Sequence, residues 1–133
     1  MFKIRVSTVL RRKRAEKTIP RIAIANTWLN AMGFPSDTIV SVEKCGCGYG
    51  HLMLKACGQG MEAYKLLVQE IRRTGARLVQ VRNVSFYGEQ GPLLELSGLW
   101  LEQWGFPIGE PVAIGYEYGT IYLKRINPDI FGV

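Results

Sequence analysis

The sequence holds a single histidine and only three cysteines, which removes most routes to catalysis and metal binding. Any imidazole-dependent acid–base step would have to use His51, and no serine or cysteine partner for it stands out. A lone histidine at the start of a strand also reads as a structural residue. The odd number of cysteines gives no closed disulfide framework and suits a reducing compartment. No apolar run approaches the ~18 residues that a membrane-spanning helix needs, so no membrane partner is expected. Met1-Phe2-Lys3-Ile4-Arg5-Val6 alternates charge with apolar residues instead of forming the apolar block of a secretory signal, and a cytoplasmic location is expected. Acidic residues are scarce as well. Eleven Asp and Glu stand against 17 Lys and Arg, a formal charge of +6, and such an excess favours polyanionic partners, nucleic acid first among them.

What the sequence does hold is a repeat. At 133 residues and 47% hydrophobic, the chain has the length and composition of one globular domain with a real core. A shift of 72 residues carries Trp28, Leu29, Gly33, Phe34 and Pro35 onto Trp100, Leu101, Gly105, Phe106 and Pro107. The same shift places Ile22 and Ile24 on Leu94 and Leu96, and Val40 and Val42 on Val112 and Ile114. Chance rarely matches five residues in an eight-residue window with strand patterns agreeing on both sides, so the chain reads as one unit built twice.

Each copy has the same physical logic. Alternation predicts short strands at Ile22-Ala23-Ile24 and Leu94-Glu95-Leu96. Asn26 or Ser97 then suits the N-cap of a helix of under two turns. Its apolar stripe is Trp28, Leu29 and Met32 in one copy and Trp100, Leu101 and Trp104 in the other. Gly33 and Gly105 follow where helices end on a left-handed residue, and the prolines prevent continuation. Two strands come next in each copy: Ile39–Val42 with His51–Leu54, and Val112–Tyr116 with Thr120–Leu123. Glu117-Tyr118-Gly119 makes a tight turn in the second, and the loop from Lys44 to Gly50 is three residues longer in the first. An alternating strand precedes each unit, at Phe2–Ser7 and Arg77–Val81. Met61 to Arg73 repeats apolar residues at Tyr64, Leu67, Val68 and Ile71, an amphipathic helix ending at Gly75.

The run Leu94-Glu95-Leu96-Ser97-Gly98-Leu99-Trp100-Leu101-Glu102-Gln103-Trp104-Gly105-Phe106, with Ile108-Gly109 and the hairpin after it, resembles the SymE-like toxin domain of the AbrB-like swapped-hairpin superfamily. Residues 77–126 match well. Residues 2–57 match more loosely, with Asn26-Thr27 where the second copy has Gly98-Leu99. The resemblance implies a mainly β fold with short helices. Two swapped-hairpin units would be fused as an intramolecular pseudo-dimer and joined by one amphipathic helix. On this reading, residues 1–133 form one compact domain. It comprises a first repeat (1–57), a connecting helix (58–75), a second repeat (76–126) and a C-terminal tail (127–133). AbrB-like relatives bind DNA as dimers, and SymE-like members are regarded as toxins of toxin–antitoxin systems acting on RNA, with nucleic-acid compaction as a competing view. Endoribonuclease activity is implied by the resemblance alone, since the motif residues carry no catalytic chemistry. Family members are usually single units that pair, so the fusion is a departure that leaves the two halves free to diverge.

Candidate functional residues lie mostly outside the motif. Arg11-Arg12-Lys13-Arg14 with Lys17 and Arg21 is the strongest electrostatic feature, expected as a mobile loop whose cations reach phosphates and release counterions. Its bland alternative is a solvated surface loop. Arg72, Arg73, Arg77 and Arg82 form a second basic set, of which the first two also suit a helix C-terminus. Cys45-Gly46-Cys47-Gly48-Tyr49-Gly50-His51, with Cys57 beyond, has zinc-ligand chemistry but not zinc spacing. A Gly-rich hairpin tip or a partner-contacting loop fits it better, and no metal or cofactor is expected. Glu95, Glu102 and Glu110 read as solvated carboxylates. Tyr49, Tyr87, Tyr116, Tyr118 and Tyr122 could stack on unpaired bases, with at least one of Tyr116 and Tyr118 in the core or an interface. Trp28, Trp100 and Trp104 are assigned to the core. Three functions remain in play: an RNA-targeting SymE-like binder, an AbrB-like DNA-binding regulator without catalysis, and a small phage or mobile-element inhibitor docking on a nucleic-acid-handling complex. The chain could be a monomeric pseudo-dimer or assemble further.

Overall fold

A computed structural model describes residues 3–14, 17–25, 28–45, 50–86 and 88–126. The first half runs β1 (Lys3–Thr8), β2 (Leu10–Arg14), β3 (Lys17–Ala25), α1 (Trp28–Ala31), β4 (Ile39–Lys44) and β5 (His51–Ala56). After α2 (Met61–Thr74) the same order returns as β6 (Arg77–Gln80), β7 (Arg82–Phe86), β8 (Glu89–Ser97), α3 (Leu99–Gln103), β9 (Pro111–Glu117) and β10 (Thr120–Arg125). The protein is mainly β, with two antiparallel sheets. One has six strands in the order β1-β9-β10-β5-β4-β6, and the other has four in the order β2-β3-β8-β7.

Both orders read the same from either end once each strand is exchanged for its twin. The first strand of each half pairs with the hairpin of the other, β1 with β9 and β6 with β4. Register follows the 72-residue shift pair by pair: Ser7↔Val112 becomes Val79↔Val40, and Leu10↔Arg21 becomes Arg82↔Leu93. Beyond the hairpin turns the shift is 69, because the first loop is longer; Val40↔Ala56 then corresponds to Val112↔Arg125. The two middle pairings, β3 with β8 and β5 with β10, centre on Ala23↔Glu95 and Met53↔Tyr122.

The core obeys the same correspondence. Val9 and Val81, Ile22 and Leu94, Ile24 and Leu96, Leu29 and Leu101, and Phe34 and Phe106 are all buried in one cluster. So are Val40 and Val112, Val42 and Ile114, Leu52 and Ile121, and Leu54 and Leu123. Tyr116 is the one clustered residue whose twin is not buried, because that twin is Lys44. Alternation explains the rest: in β8 Leu94 and Leu96 face the cluster and Glu95 the opposite side. Pro20 and Pro92, also 72 apart, sit just before the segment in which β3 pairs with β8, where only one neighbour needs a donor.

Local signals act as expected at the helix ends. Gly33 and Gly105 take φ of 90° and 99°, and Phe34 and Phe106 donate their N–H groups back to Leu29 and Leu101 at 2.8 Å. Gly75 caps α2 in the left-handed conformation by donating to the Ile71 carbonyl. Ser97 is not the N-cap of α3; Gly98 holds that place with no side-chain cap bond, and Ser97 ends β8. The cap expected at Asn26 lies outside the described residues. At one turn the halves differ in strain. Asp37 sits at φ 72° where the second half has Gly109 at φ 89°. Relieving the left-handed Cβ strain outweighs the entropy that glycine adds to the unfolded chain, so Asp37→Gly is expected to stabilise by about 0.5–1 kcal/mol. Chemical denaturation of the two proteins measures it, and a loss of stability would contradict it.

Candidate nucleic-acid interface

The basic run Arg11-Arg12-Lys13-Arg14 is strand, which corrects the mobile loop expected from its sequence. β2 pairs with β3 from Leu10↔Arg21 through Arg14↔Lys17 and forms one edge of the four-stranded sheet. Cross-strand backbone hydrogen bonds order a segment whose side chains show no apolar alternation. Lysine and arginine also suit an edge strand, because they discourage sheet-to-sheet addition. The consequence for binding is spacing. Alternate residues along β2 stand about 6.6 Å apart on a fixed backbone, so their charges need not be gathered from a loop ensemble. The β2–β3 hairpin carries Arg11, Arg12, Lys13, Arg14, Lys17 and Arg21 with Glu16 as its sole acid, whereas its twin β7–β8 carries Arg82 against Glu89 and Glu95. Arg11 is exposed.

The two basic sets meet across the four-stranded sheet. Arg21 Nε donates to Glu95 Oε2 at 2.9 Å, and Arg82 donates to the same oxygen at 3.3 Å. The Glu95 side chain is 10% exposed, with Arg21 at 29% and Arg82 at 57%. Glu95 is therefore not the solvated carboxylate that its outward position suggested; it sits among cations at the centre of the β3–β8 pairing. Removing its charge leaves two guanidiniums facing a group that no longer neutralises them. Glu95→Gln is expected to cost about 1.5–3 kcal/mol of stability, the range for hydrogen bonds to a charged group. Thermal melts measure it, and an unchanged melting temperature would show that the clasp adds nothing to the fold.

Arg77 has a different setting. Its guanidinium lies over the Trp100 ring, 4.6 Å from the centroid, and 5.9 Å from that of Trp104. Trp104 stands edge-on to Trp100 at 5.1 Å and carries the Lys44 ammonium 5.0 Å above its ring. Such pairs draw the cation to the negative face of the indole. Trp100 is held at its edge: its Nε1 donates to the Ser97 carbonyl at 3.1 Å. Gly98, at φ 141°, leaves room for the ring, since a Cβ there would come within 2.5 Å of it. Beside this group opens a pocket of about 500 Å³, lined by Ile19, Arg77, Gly98, Leu99, Trp100 and Gln103. A smaller recess of about 270 Å³ is lined by Trp104 with Glu43, Lys44, Gly75 and Ala76. In the first half the corresponding ring, Trp28, is stacked on Tyr116 at 4.1 Å.

The tryptophans are thus partly buried against the core rather than within it. Tyr116 is 7% exposed, Tyr118 is 77% exposed at a turn, and the Tyr122 hydroxyl donates to Glu117 at 3.3 Å. Tyr49 and Tyr87 lie outside the described residues. Glu102 is exposed, and Glu110 lies 3.5 Å from Arg125. Arg72 is exposed on α2, and Arg73 stands in the last turn of that helix. Cys45 donates its backbone N–H to the His51 carbonyl at 2.9 Å. Burial, and then the Glu43 carboxylate, push its thiol above the ordinary value against an opposing effect of Lys55, which keeps it protonated and weakly nucleophilic at neutral pH. Cys47 lies outside the described residues, so the full cysteine group is not placed. Among the described residues no helix is long and apolar enough to cross a membrane.

Sequence reasoning found the cations but not the grouping of Lys44, Arg77, Trp100 and Trp104. A lysine that replaces the core position of its twin tyrosine was the available signal. The fold and this geometry define a mainly β protein with two antiparallel sheets and one strongly basic hairpin. No family model, curated protein or solved structure matches the chain.

Proposed function

We propose that the chain is a nucleic-acid-binding protein of the SymE-like kind, two swapped-hairpin units fused as an intramolecular pseudo-dimer. The observation that carries the reading is the unequal charge of the twins: six cations on the β2–β3 hairpin against one on β7–β8. A core duplicated almost residue for residue keeps the fold, so the difference lies where solvent and ligand meet it. The interlocking supports the fused-dimer part. Gly50 donates to the Trp104 carbonyl, and Gly119 donates to the Met32 carbonyl, each at 2.7 Å, so each half's turn is anchored on the other half's helix. Phosphate oxygens are the groups that β2 and β3 would take, with Arg72 and Arg82 adding to the field.

The test is a salt series with labelled single-stranded RNA, single-stranded DNA and duplex DNA. The logarithm of the association constant should fall linearly with the logarithm of salt concentration, with a slope of about −3 to −5 for this number of cations. No binding at low salt would contradict the reading. Following RNA length in the same samples over time separates binding from cleavage.

A further inference from the structure

The pocket beside Trp100 deepens this reading and rests on it. One wall is Ile19, a residue of the basic hairpin whose partner in register is Arg12; the other walls are Arg77 from β6 and Leu99, Trp100 and Gln103 from α3. The basic hairpin therefore reaches, through β3, the pocket that Trp100 also lines. At about 500 Å³ it falls within the usual range for small planar ligands. Arg77, exposed and lying over the indole, adds a planar cation on which a base can stack, and the exposed Gln103 supplies an amide beside it. Backbone-tracking charge next to a stacking surface is the combination that single-stranded nucleic acid requires, whereas a base inside a duplex has no free face to offer.

We infer that the Arg77–Trp100 pocket takes an unpaired base of a single strand whose phosphates run along the β2–β3 hairpin. The fused architecture makes this site single. The twin indole, Trp28, already stacks on Tyr116, whose own twin is the Lys44 beside Trp104, and Ala31 of α1 stands where α3 has Gln103. Recognition is by stacking and charge, so uracil and thymine strands bind alike. A free nucleoside monophosphate, which offers a base but no hairpin-length run of phosphates, binds far more weakly.

The experiment compares the full chain with Trp100→Leu and with the neutral Leu99→Gln in binding a labelled U12 strand, a dT12 strand, a twelve-base-pair duplex and uridine monophosphate at one low salt concentration. Leu99 is 49% exposed, so its substitution tests the rim without disturbing the core. Both variants should bind the single strands about ten-fold more weakly and the duplex within about two-fold of the parent, the size of one lost stacking contact. The parent's tryptophan fluorescence should be quenched by U12, and Trp100→Phe should lose most of that quenching while melting near the parent temperature. If strands and duplex bind the parent equally, or the variants weaken both alike or neither, the stacking site is wrong and phosphate binding by the hairpin survives. If monophosphate binds as tightly as U12, the pocket is a nucleotide site independent of the hairpin. If nothing binds, both inferences fall together.

Discussion

Replacing Arg11, Arg12, Lys13 and Arg14 with alanine should lower affinity for a short single strand by about a hundred-fold at low salt and reduce the salt slope by roughly three. The size follows from counterion release: each phosphate neutralised liberates close to one condensed cation, and the gain disappears with the charge. Because β2 is an edge strand held to β3 by backbone hydrogen bonds, alanine leaves those bonds in place and the fold should persist. The informative control is the twin. Changing Arg82, the one cation of β7–β8, should move affinity by only a few-fold, since Glu95 already shares its charge. Filter binding or anisotropy at three salt concentrations decides it. Equal losses from Arg82→Ala and from the four-residue change would remove the distinction between the hairpins.

The second large effect concerns stability. Phe34 and Phe106 are both 0% exposed in one shared cluster, each just beyond a short helix whose leucine carbonyl accepts its N–H. Truncating either to alanine should cost about 3–5 kcal/mol through lost transfer energy and a cavity that neighbours cannot fill. The twin positions should cost nearly the same, and each variant should still melt in a single transition. Two halves with separate cores would instead show one transition weakened and the other intact. Denaturant unfolding followed by tryptophan fluorescence and by circular dichroism makes the comparison.

Both expectations depend on features of unequal legibility. The core was readable because Trp, Leu, Gly, Phe and Pro recur with fixed spacing, and that spacing encodes helix length, helix stop and the plug behind it. Strand extents were read short. Ile22–Ile24 shows alternation, yet β3 runs from Lys17 to Ala25 because β2 and β8 supply hydrogen bonds along stretches whose side chains give no signal. β2 itself was hidden for the same reason, as was β7, whose Asn83-Val84-Ser85 carries little pattern. The pairing of β1 with β9 and of β6 with β4 is a property of tertiary register and has no local signature.

The site was half visible. Charge count and clustering named the cations. What alternation could not give was that Arg21 and Arg82 converge on Glu95, or that Arg77, while still exposed, lies over Trp100. The apolar stripe of α3 suggests that Trp100 and Trp104 lie in the core; the structure leaves both at its rim, as it does Trp28 in the other half.

On the proposed function, one face of a duplicated fold is specialised for a single strand. A nitrogen-15 amide spectrum of the full chain, titrated with U12, tests it residue by residue. Shifts should appear along β2, β3 and α3, centred on Thr18 to Arg21 and Leu99 to Gln103, with β7 and α1 unmoved. Equal shifts at twin positions in both halves, or shifts confined to β7 and α1, would contradict it.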